Sequence, residues 1–137
     1  MFVKRLKPEL LNDEIIKLFL AECAILQSLR HPNICLYYGH SLNDSLNLCL
    51  VTEYCSRGTL KNFLNNPQYN LKMSQIIKFA IDIAKAMHYL HSFKVPLVHR
   101  NLNTSNILLD ENLVLKISDF NSSRLVSKKM TSQIGKP

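Results

Sequence analysis

The spacing of apolar residues predicts a mixed order of strands and helices in the first half of the chain. Residues 1–5 have the pattern of a strand end, and a helix is predicted from about Asn12 to Arg30 because apolar side chains recur there at helical spacing. Two strands follow, one around 35–38 and one in the β-rich run 46–54, with a polar turn over 39–45 between them. The residues at helical spacing are Ile15, Leu18, Phe19, Glu22, Cys23, Ile25, Leu26 and Leu29.

The second half of the chain is predicted to be more helical. Thr59 can cap a short helix over 60–64, and the longest helix is predicted over 74–91. Two short strands, 107–109 and 113–117, are joined by a hairpin-like turn, and the sequence beyond them is polar and irregular. The apolar face predicted for the longest helix consists of Ile77, Ala80, Ile81, Ala84, Met87 and Leu90.

This order of elements indicates the fold class α+β. It runs strand, helix, two strands, two helices, two small strands and an open loop, which matches no doubly wound parallel sheet. The prediction is therefore a small antiparallel sheet with one helix, followed by a mostly helical part that contains a small β-hairpin.

Composition narrows the function classes. The 137 residues, 47% of them apolar, suffice for one domain with one hydrophobic core. The formal net charge of +7 is scattered, which is typical of a solvated surface, so no nucleic-acid partner is expected. Four cysteines without a C-x-x-C spacing predict free, mostly buried thiols. The start is too short and too charged for a secretory signal, and no apolar run is as long as a membrane span, so a cytoplasmic location without membrane contact is expected.

Five short motifs occur in one order along the chain. Each is weak alone, because a lysine on a strand or a glutamate in a helix is usually solvated. In this order and at this spacing they resemble a eukaryotic-type protein kinase domain, which implies a partial two-lobed protein-kinase-like fold. The motifs are Val3-Lys4, Glu22, His31-Pro32-Asn33-Ile34, the loop His99-Arg100-Asn101-Leu102-Asn103-Thr104-Ser105-Asn106, and Ser118-Asp119-Phe120-Asn121.

The resemblance implies ATP and magnesium as cofactors. Lys4 would hold the ATP phosphates with Glu22 as its partner, and Asn106 and Asp119 would offer oxygen ligands to magnesium. The other positions implied at the nucleotide site are Thr52 in the gatekeeper position, Glu53, Cys55 and Leu108. The positions implied in the apolar column that joins the two lobes are Leu26, Tyr37, His99 and Phe120, for which plain core packing predicts the same burial.

Four positions depart from the family pattern. Asn101 stands where the family has its catalytic aspartate, and an amide cannot accept the proton of a substrate hydroxyl. Asn103 replaces a lysine of the same loop, and Asn121 replaces a glycine, a milder change because asparagine tolerates positive φ. Phe2 replaces a small residue, and strand alternation puts it on the face of Lys4, where its ring is expected to fill part of the ATP site. The alternative is a local shift of the strand that points Phe2 elsewhere.

The resemblance covers the whole chain and implies the central part of a kinase domain, with neither a glycine-rich loop before the first strand nor an Ala-Pro-Glu segment at the other end. The implied parts are an N-lobe over 1–54, a hinge over 55–58 and the start of a C-lobe over 59–137. Segments 89–92 and 130–135 are most similar to the tyrosine-kinase-like group, whose active members mostly phosphorylate serine and threonine.

Three functional interpretations are compatible with these residues. The first is a catalytically impaired, pseudokinase-like domain with weak or absent ATP binding and a regulatory role toward a protein partner. The second is a divergent active serine/threonine kinase. The third is that the chain has no function by itself.

Overall fold

The computed structural model describes residues 1–6, 12–41 and 48–126. Within these ranges the chain forms three helices: α1 (Asp13–Ser28), α2 (Leu60–Leu64) and α3 (Met73–His91). It also forms eight strands: β1 (Phe2–Arg5), β2 (Tyr37–Ser41), β3 (Cys49–Thr52), β4 (Gly58–Thr59), β5 (Leu97–Val98), β6 (Ile107–Leu109), β7 (Leu115–Ile117) and β8 (Arg124–Leu125). The strands are ordered β1-β3-β2, β4-β6-β7 and β5-β8. The predicted α+β class is confirmed. No helix in the described ranges is long and apolar enough to cross a bilayer.

The first sheet places Phe2 and Lys4 beside its central strand, β3. β3 is the central strand, and β1 and β2 pair with it antiparallel on either side. Lys4 lies opposite Leu50, and Phe2 lies opposite Thr52. Because side chains two residues apart on a strand share one face, Phe2 and Lys4 face the same side of the sheet.

The strand predicted around 35–38 is displaced, and the prediction of its bounds is wrong. β2 begins at Tyr37 and includes Gly39 to Ser41, which the sequence pattern assigned to a turn; the rest of that turn lies outside the described residues. The backbone amides of Cys35 and Leu36 bond elsewhere, to the Ile117 carbonyl at 2.9 Å and to the Glu53 side chain. These two residues therefore connect β2 to other parts of the fold instead of extending the strand.

Helix α1 begins where its cap was predicted. The Asn12 side chain accepts a hydrogen bond from the Ile15 amide at 2.9 Å, which satisfies one of the free donors of the first turn. The helix ends at Ser28, slightly earlier than predicted. Its buried face is narrower than the predicted one, because Leu18 is 45% exposed. The buried residues of α1 are Phe19, Glu22, Cys23 and Leu26.

Helix α3 has the predicted length but buries a different face. Ile77 and Ile81, which the predicted face contains, are 52% and 47% exposed. Ala80 and Ala84 are exposed too. The helix carries apolar residues on more than one side, and its contacts with β5 and β7 select the side that is buried. The buried residues are Phe79, Asp82, Ala86 and Leu90, of which only Leu90 belongs to the predicted face.

The small elements after α3 hold the loop between β5 and β6. The predicted hairpin is confirmed as β6 and β7, and the Asp110 carboxylate accepts from the amides of Asn112 and Val114 to close its turn. β8 was not predicted; it pairs with β5 after the chain has passed Phe120. This pairing ties the segment before the loop to the segment after Asp119.

The cysteine prediction is confirmed. All four cysteines are free, with Cys23, Cys35 and Cys55 buried and Cys49 partly buried. Burial raises the pKa of the Cys23 thiol to about 11, so this thiol is protonated and unreactive at neutral pH.

Candidate active site

One cavity of about 640 Å³ lies between the first sheet and the β6–β7 hairpin. This volume falls in the usual range for small-molecule sites. The predicted residues that line it are Phe2, Lys4, Glu22, Thr52, Glu53, Cys55, Leu108 and Asp119. The three loop asparagines, Asn101, Asn103 and Asn106, form a connected group behind Asp119 and Ser118. The fold thus brings together residues that are more than one hundred positions apart in the chain.

Lys4 lies between two carboxylates. Its Nζ is 3.8 Å from Glu22 and 4.0 Å from Asp119, which confirms the predicted pairing with Glu22. The Glu22 side chain is almost fully buried, and this burial raises its pKa although the nearby Lys4 charge lowers it. The ammonium group is therefore held at the cavity wall by two long ion pairs and stays partly accessible to a ligand.

Phe2 lines the cavity on the same side as Lys4, as strand alternation predicts. Its side chain is not packed away into the core, since the residue is 51% exposed. Phe2 therefore points toward the site, and the alternative of a local shift that points it elsewhere is wrong. Whether the ring prevents adenine from binding stays a prediction.

His99 organises the loop that contains Asn101. Its Nδ1 accepts from the Asn101 amide at 3.3 Å, so its Nε2 carries the proton and donates to the Ser118 carbonyl at 3.0 Å. Burial lowers the pKa of the imidazole, which keeps it neutral as both bonds require. The ring also packs edge-on against Phe120, with centroids 4.9 Å apart. With Leu26 and Tyr37 in the same buried cluster as Phe120, the predicted apolar column is packed.

Both ends of the Asn101 side-chain amide make hydrogen bonds. Its Nδ2 donates to Asp119 Oδ2 at 3.3 Å, and its Oδ1 accepts from Asn103 Nδ2 at 3.1 Å. Asn106 Nδ2 donates to the Asn101 carbonyl at 2.9 Å. The loop is therefore assembled around Asn101, and this side chain directs an N–H donor at Asp119.

The backbone at this site adopts left-handed conformations at two non-glycine residues. Arg100 has φ 66° and Asp119 has φ 62°, a conformation that costs about 1–3 kcal/mol per residue and often marks functional sites. The tolerance for positive φ that the sequence suggested for Asn121 is not used; the left-handed residue of this motif is Asp119, two positions earlier.

The segment directly before the predicted hinge is held by an ion pair that sequence reasoning missed. Glu53 Oε2 lies 3.1 Å from Lys116 Nζ, and Glu53 Oε1 accepts from the Leu36 amide at 2.7 Å. Both charged side chains are largely buried. The available signal was the alternation in β7, where Leu115 and Ile117 are buried and Lys116 must face the other side.

The side chains around Asp119 do not fit a magnesium ion as they are arranged. Magnesium requires near-octahedral oxygen ligands at about 2.0–2.1 Å. Both oxygens of Asp119 already accept amide hydrogens, Oδ1 from Asn121 Nδ2 at 2.6 Å and Oδ2 from Asn101. In the described ranges, no three histidine, cysteine, aspartate or glutamate side chains group as metal ligands. The magnesium role expected for Asn106 and Asp119 stays a prediction, and the two amides would have to turn away to permit it.

Cavity residues outside the predicted set complete the wall. Leu26 comes from α1 and was predicted only in the apolar column; the others come from strands and connections. The full set is Leu26, Cys35, Leu50, Tyr54, Ser56, Gly58, Thr59, Ser118 and Asn121.

The structure has the arrangement of a protein kinase domain: an antiparallel sheet beside a cavity, a polar loop built around Asn101, and a lysine between two carboxylates. Residues 1–136 match the family described as protein tyrosine and serine/threonine kinase, and the chain belongs to this family. Three relatives from Arabidopsis thaliana are similar to it. Serine/threonine-protein kinase STY17 is 37% identical over 97% of this chain, serine/threonine-protein kinase 12 is 43% identical over 93%, and serine/threonine-protein kinase CTR1 is 39% identical over 95%. The chain spans 23%, 28% and 16% of their respective lengths.

Proposed function

We propose that this kinase domain is catalytically impaired, as a pseudokinase of the tyrosine-kinase-like group. It would act in signalling by binding a protein partner, and its location would be cytoplasmic. The observation that supports the proposal is that Asn101, which stands where the family resemblance implies the catalytic aspartate, directs its N–H donor toward Asp119. The group assignment is supported by the segment 89–92; the segment 130–135, which also suggested it, lies outside the described residues.

The chemistry that Asn101 lacks is proton acceptance. The amide oxygen already accepts from Asn103, and amide nitrogen has no basic lone pair. A positioned general base contributes about 10²–10⁴ in rate. Asn103 supplies a neutral amide where the family has a lysine, so the site also lacks one charge for the developing negative charge of phosphoryl transfer.

Nucleotide binding is proposed to be weak. Phe2 reaches the cavity wall beside Lys4 and competes with adenine for the same apolar surface. Lys4 divides its charge between Glu22 and Asp119, so part of its attraction for phosphate is already used. The cavity nevertheless keeps a volume that admits a small ligand.

A divergent active serine/threonine kinase is the second candidate, and one observation favours it. The Lys4–Glu22 pair and the packed His99–Phe120 contact have the arrangement that an active kinase needs. Both candidates share this scaffold and differ only in the chemistry of the loop.

Radiolabelled ATP with the whole chain and a generic protein substrate distinguishes the two candidates. The expected result is no phosphate incorporation above the Lys4→Met variant. Incorporation that depends on Lys4 would refute the impaired-kinase proposal and support the active kinase. The matched variant Asn101→Asp shows whether the missing carboxylate is the main defect, and we expect little recovery because Asn103 still lacks its charge.

A further inference from the structure

The surroundings of Asp119 differ from those of a cation site, because hydrogen-bond donors and an ammonium group face its carboxylate. Its Oδ1 accepts from Asn121 at 2.6 Å and its Oδ2 from Asn101 at 3.3 Å, while Lys4 lies 4.0 Å away. Three positive or partly positive groups thus surround one carboxylate. A divalent cation at Asp119 would have to displace both amides and would be repelled by Lys4.

The two amides still have unused donors. A primary amide carries two N–H groups, and in the described part of the chain the nitrogens of Asn101 and Asn121 each make one hydrogen bond, to Asp119. Asn103 differs, because its nitrogen donates to two oxygens of Asn101. Asn101 and Asn121 can therefore offer one further N–H each to an anion beside Asp119.

These donors lie beside the cavity that Lys4 lines. Lys4, Asp119 and Asn121 all belong to its wall, and Asn101 is bonded to Asp119 from behind. A phosphate chain in this cavity would meet the Lys4 ammonium group and the Asn121 amide, whose N–H donors bind phosphate oxygens directly, while Asn101 holds Asp119 from outside the cavity wall.

We propose that Asn101 and Asn121 take the place of a divalent cation in this cleft, so that it binds nucleotide phosphates in their metal-free form. The Asn101 and Asn121 amides hydrogen-bond Asp119 in the place of a cation, Asn121 at the cavity wall donates to phosphate oxygens, and Lys4 supplies the cationic charge. This proposal rests on the cleft being a nucleotide site, but it does not depend on the absence of phosphoryl transfer.

The first test uses Mn²⁺ alone as the probe, with free Mn²⁺ followed by electron paramagnetic resonance. The wild-type chain is expected to leave Mn²⁺ free. The double variant with Asn101→Asp and Asn121→Gly is expected to bind Mn²⁺, and adding Asp119→Asn to it should abolish this binding. Mn²⁺ binding by the wild type that Asp119→Asn removes would overturn the proposal. Failure of the double variant to bind Mn²⁺ would equally overturn it, because the amides would then not be the obstacle.

The second test measures ATP affinity by calorimetry in EDTA and in magnesium chloride. For the wild type, magnesium is expected to leave the dissociation constant unchanged or to weaken binding, whereas in the double variant it should strengthen binding about tenfold or more, equivalent to about 1.4 kcal/mol. Asn112→Gly, in the exposed turn between β6 and β7, is the matched control, and Asn121→Ala tests the amide if the double variant fails to fold.

Each result in the second test is decisive. Binding by the wild type only with magnesium, or no ATP binding under either condition, would overturn the metal-free site. Absence of ATP binding would also exclude phosphoryl transfer, so that result overturns this inference while the proposed impaired function stands. Binding only with magnesium does not decide whether phosphate is transferred, so the proposed function and this inference fail separately.

Discussion

The most informative single change is Asn101→Asp, which restores the family's catalytic residue but places a second carboxylate beside Asp119. Asn101 Nδ2 is 3.3 Å from Asp119 Oδ2. At that separation two unit charges repel by about 1 kcal/mol at the dielectric constant of water and by about 5 kcal/mol at an effective constant of 20. The Asp119 side chain is 28% exposed, so the cost lies between these limits. With the lost hydrogen bond included, we expect the variant to be about 2–3 kcal/mol less stable at neutral pH.

The assay is urea unfolding followed by circular dichroism, in EDTA, at neutral pH and near pH 4. Asn112→Asp is the matched control, because Asn112 is exposed and its backbone amide, not its side chain, makes the bond in the turn. The stability difference between the two variants should shrink as the pH is lowered from neutral toward about 3.9, the ordinary pKa of an unfolded aspartate, because like-charge repulsion raises the pKa of the introduced carboxyl in the folded state and protonation then removes the repulsion. An Asn101→Asp variant as stable as the control at neutral pH would refute the charge argument.

Three further predictions follow from the structure. The raised pKa of Glu22 means that the folded state holds more protons than the unfolded state above pH 4.5, so stability falls as pH rises from 4.5 through the folded pKa. The stability of Glu22→Gln relative to the wild type, measured by thermal unfolding, should therefore increase over that window. Parallel stability curves for the two proteins would contradict this. The lowered pKa of His99 means that stability is lost as pH falls below 6.5, because the unfolded state binds the proton first. His99→Gln should remove that loss. If the dependence of stability on pH below 6.5 is unchanged in this variant, another group causes the loss. Leu90→Ala should lower the free energy of unfolding in urea by about 2–5 kcal/mol, and Ile77→Ala by less than about 0.5 kcal/mol. A reversed order would mean that the buried face of α3 is wrongly assigned.

Local signals were sufficient for the elements whose causes lie within a few residues. Asn12 and Thr59 cap helices because their side chains reach amides three positions ahead. Gly58 begins β4 at φ 72°, which glycine reaches without strain. The turn of the β6–β7 hairpin is closed by Asp110 through its own neighbours. All of these are short-range hydrogen bonds or backbone preferences, so the sequence is enough to find them.

Many members of the candidate site and the Lys4–Glu22 pair were predictable, but the other contacts were not. The order of Lys4, Glu22, Asp119 and the loop around Asn101 identified them through the family resemblance, and the structure brings them together. The pairing of Glu53 with Lys116 was missed because the two residues are 63 positions apart and each is an ordinary charged residue in its own segment. Only the approach of β7 to the hinge makes them partners.

The amino-acid sequence by itself therefore determined the helices, the hairpin and the identity of the residues at the site. The tertiary structure alone decided which side of α3 is buried, since apolar residues occupy several of its sides and contact with β5 and β7 selects one. It also decided that β2 begins at Tyr37, because Leu36 bonds to Glu53. Likewise, it placed the amide of Asn121 on Asp119, because a left-handed backbone at Asp119 and the packing of Phe120 orient both side chains. Periodicity specifies what a segment is able to bury, and the partners that the fold brings to it specify what it does bury.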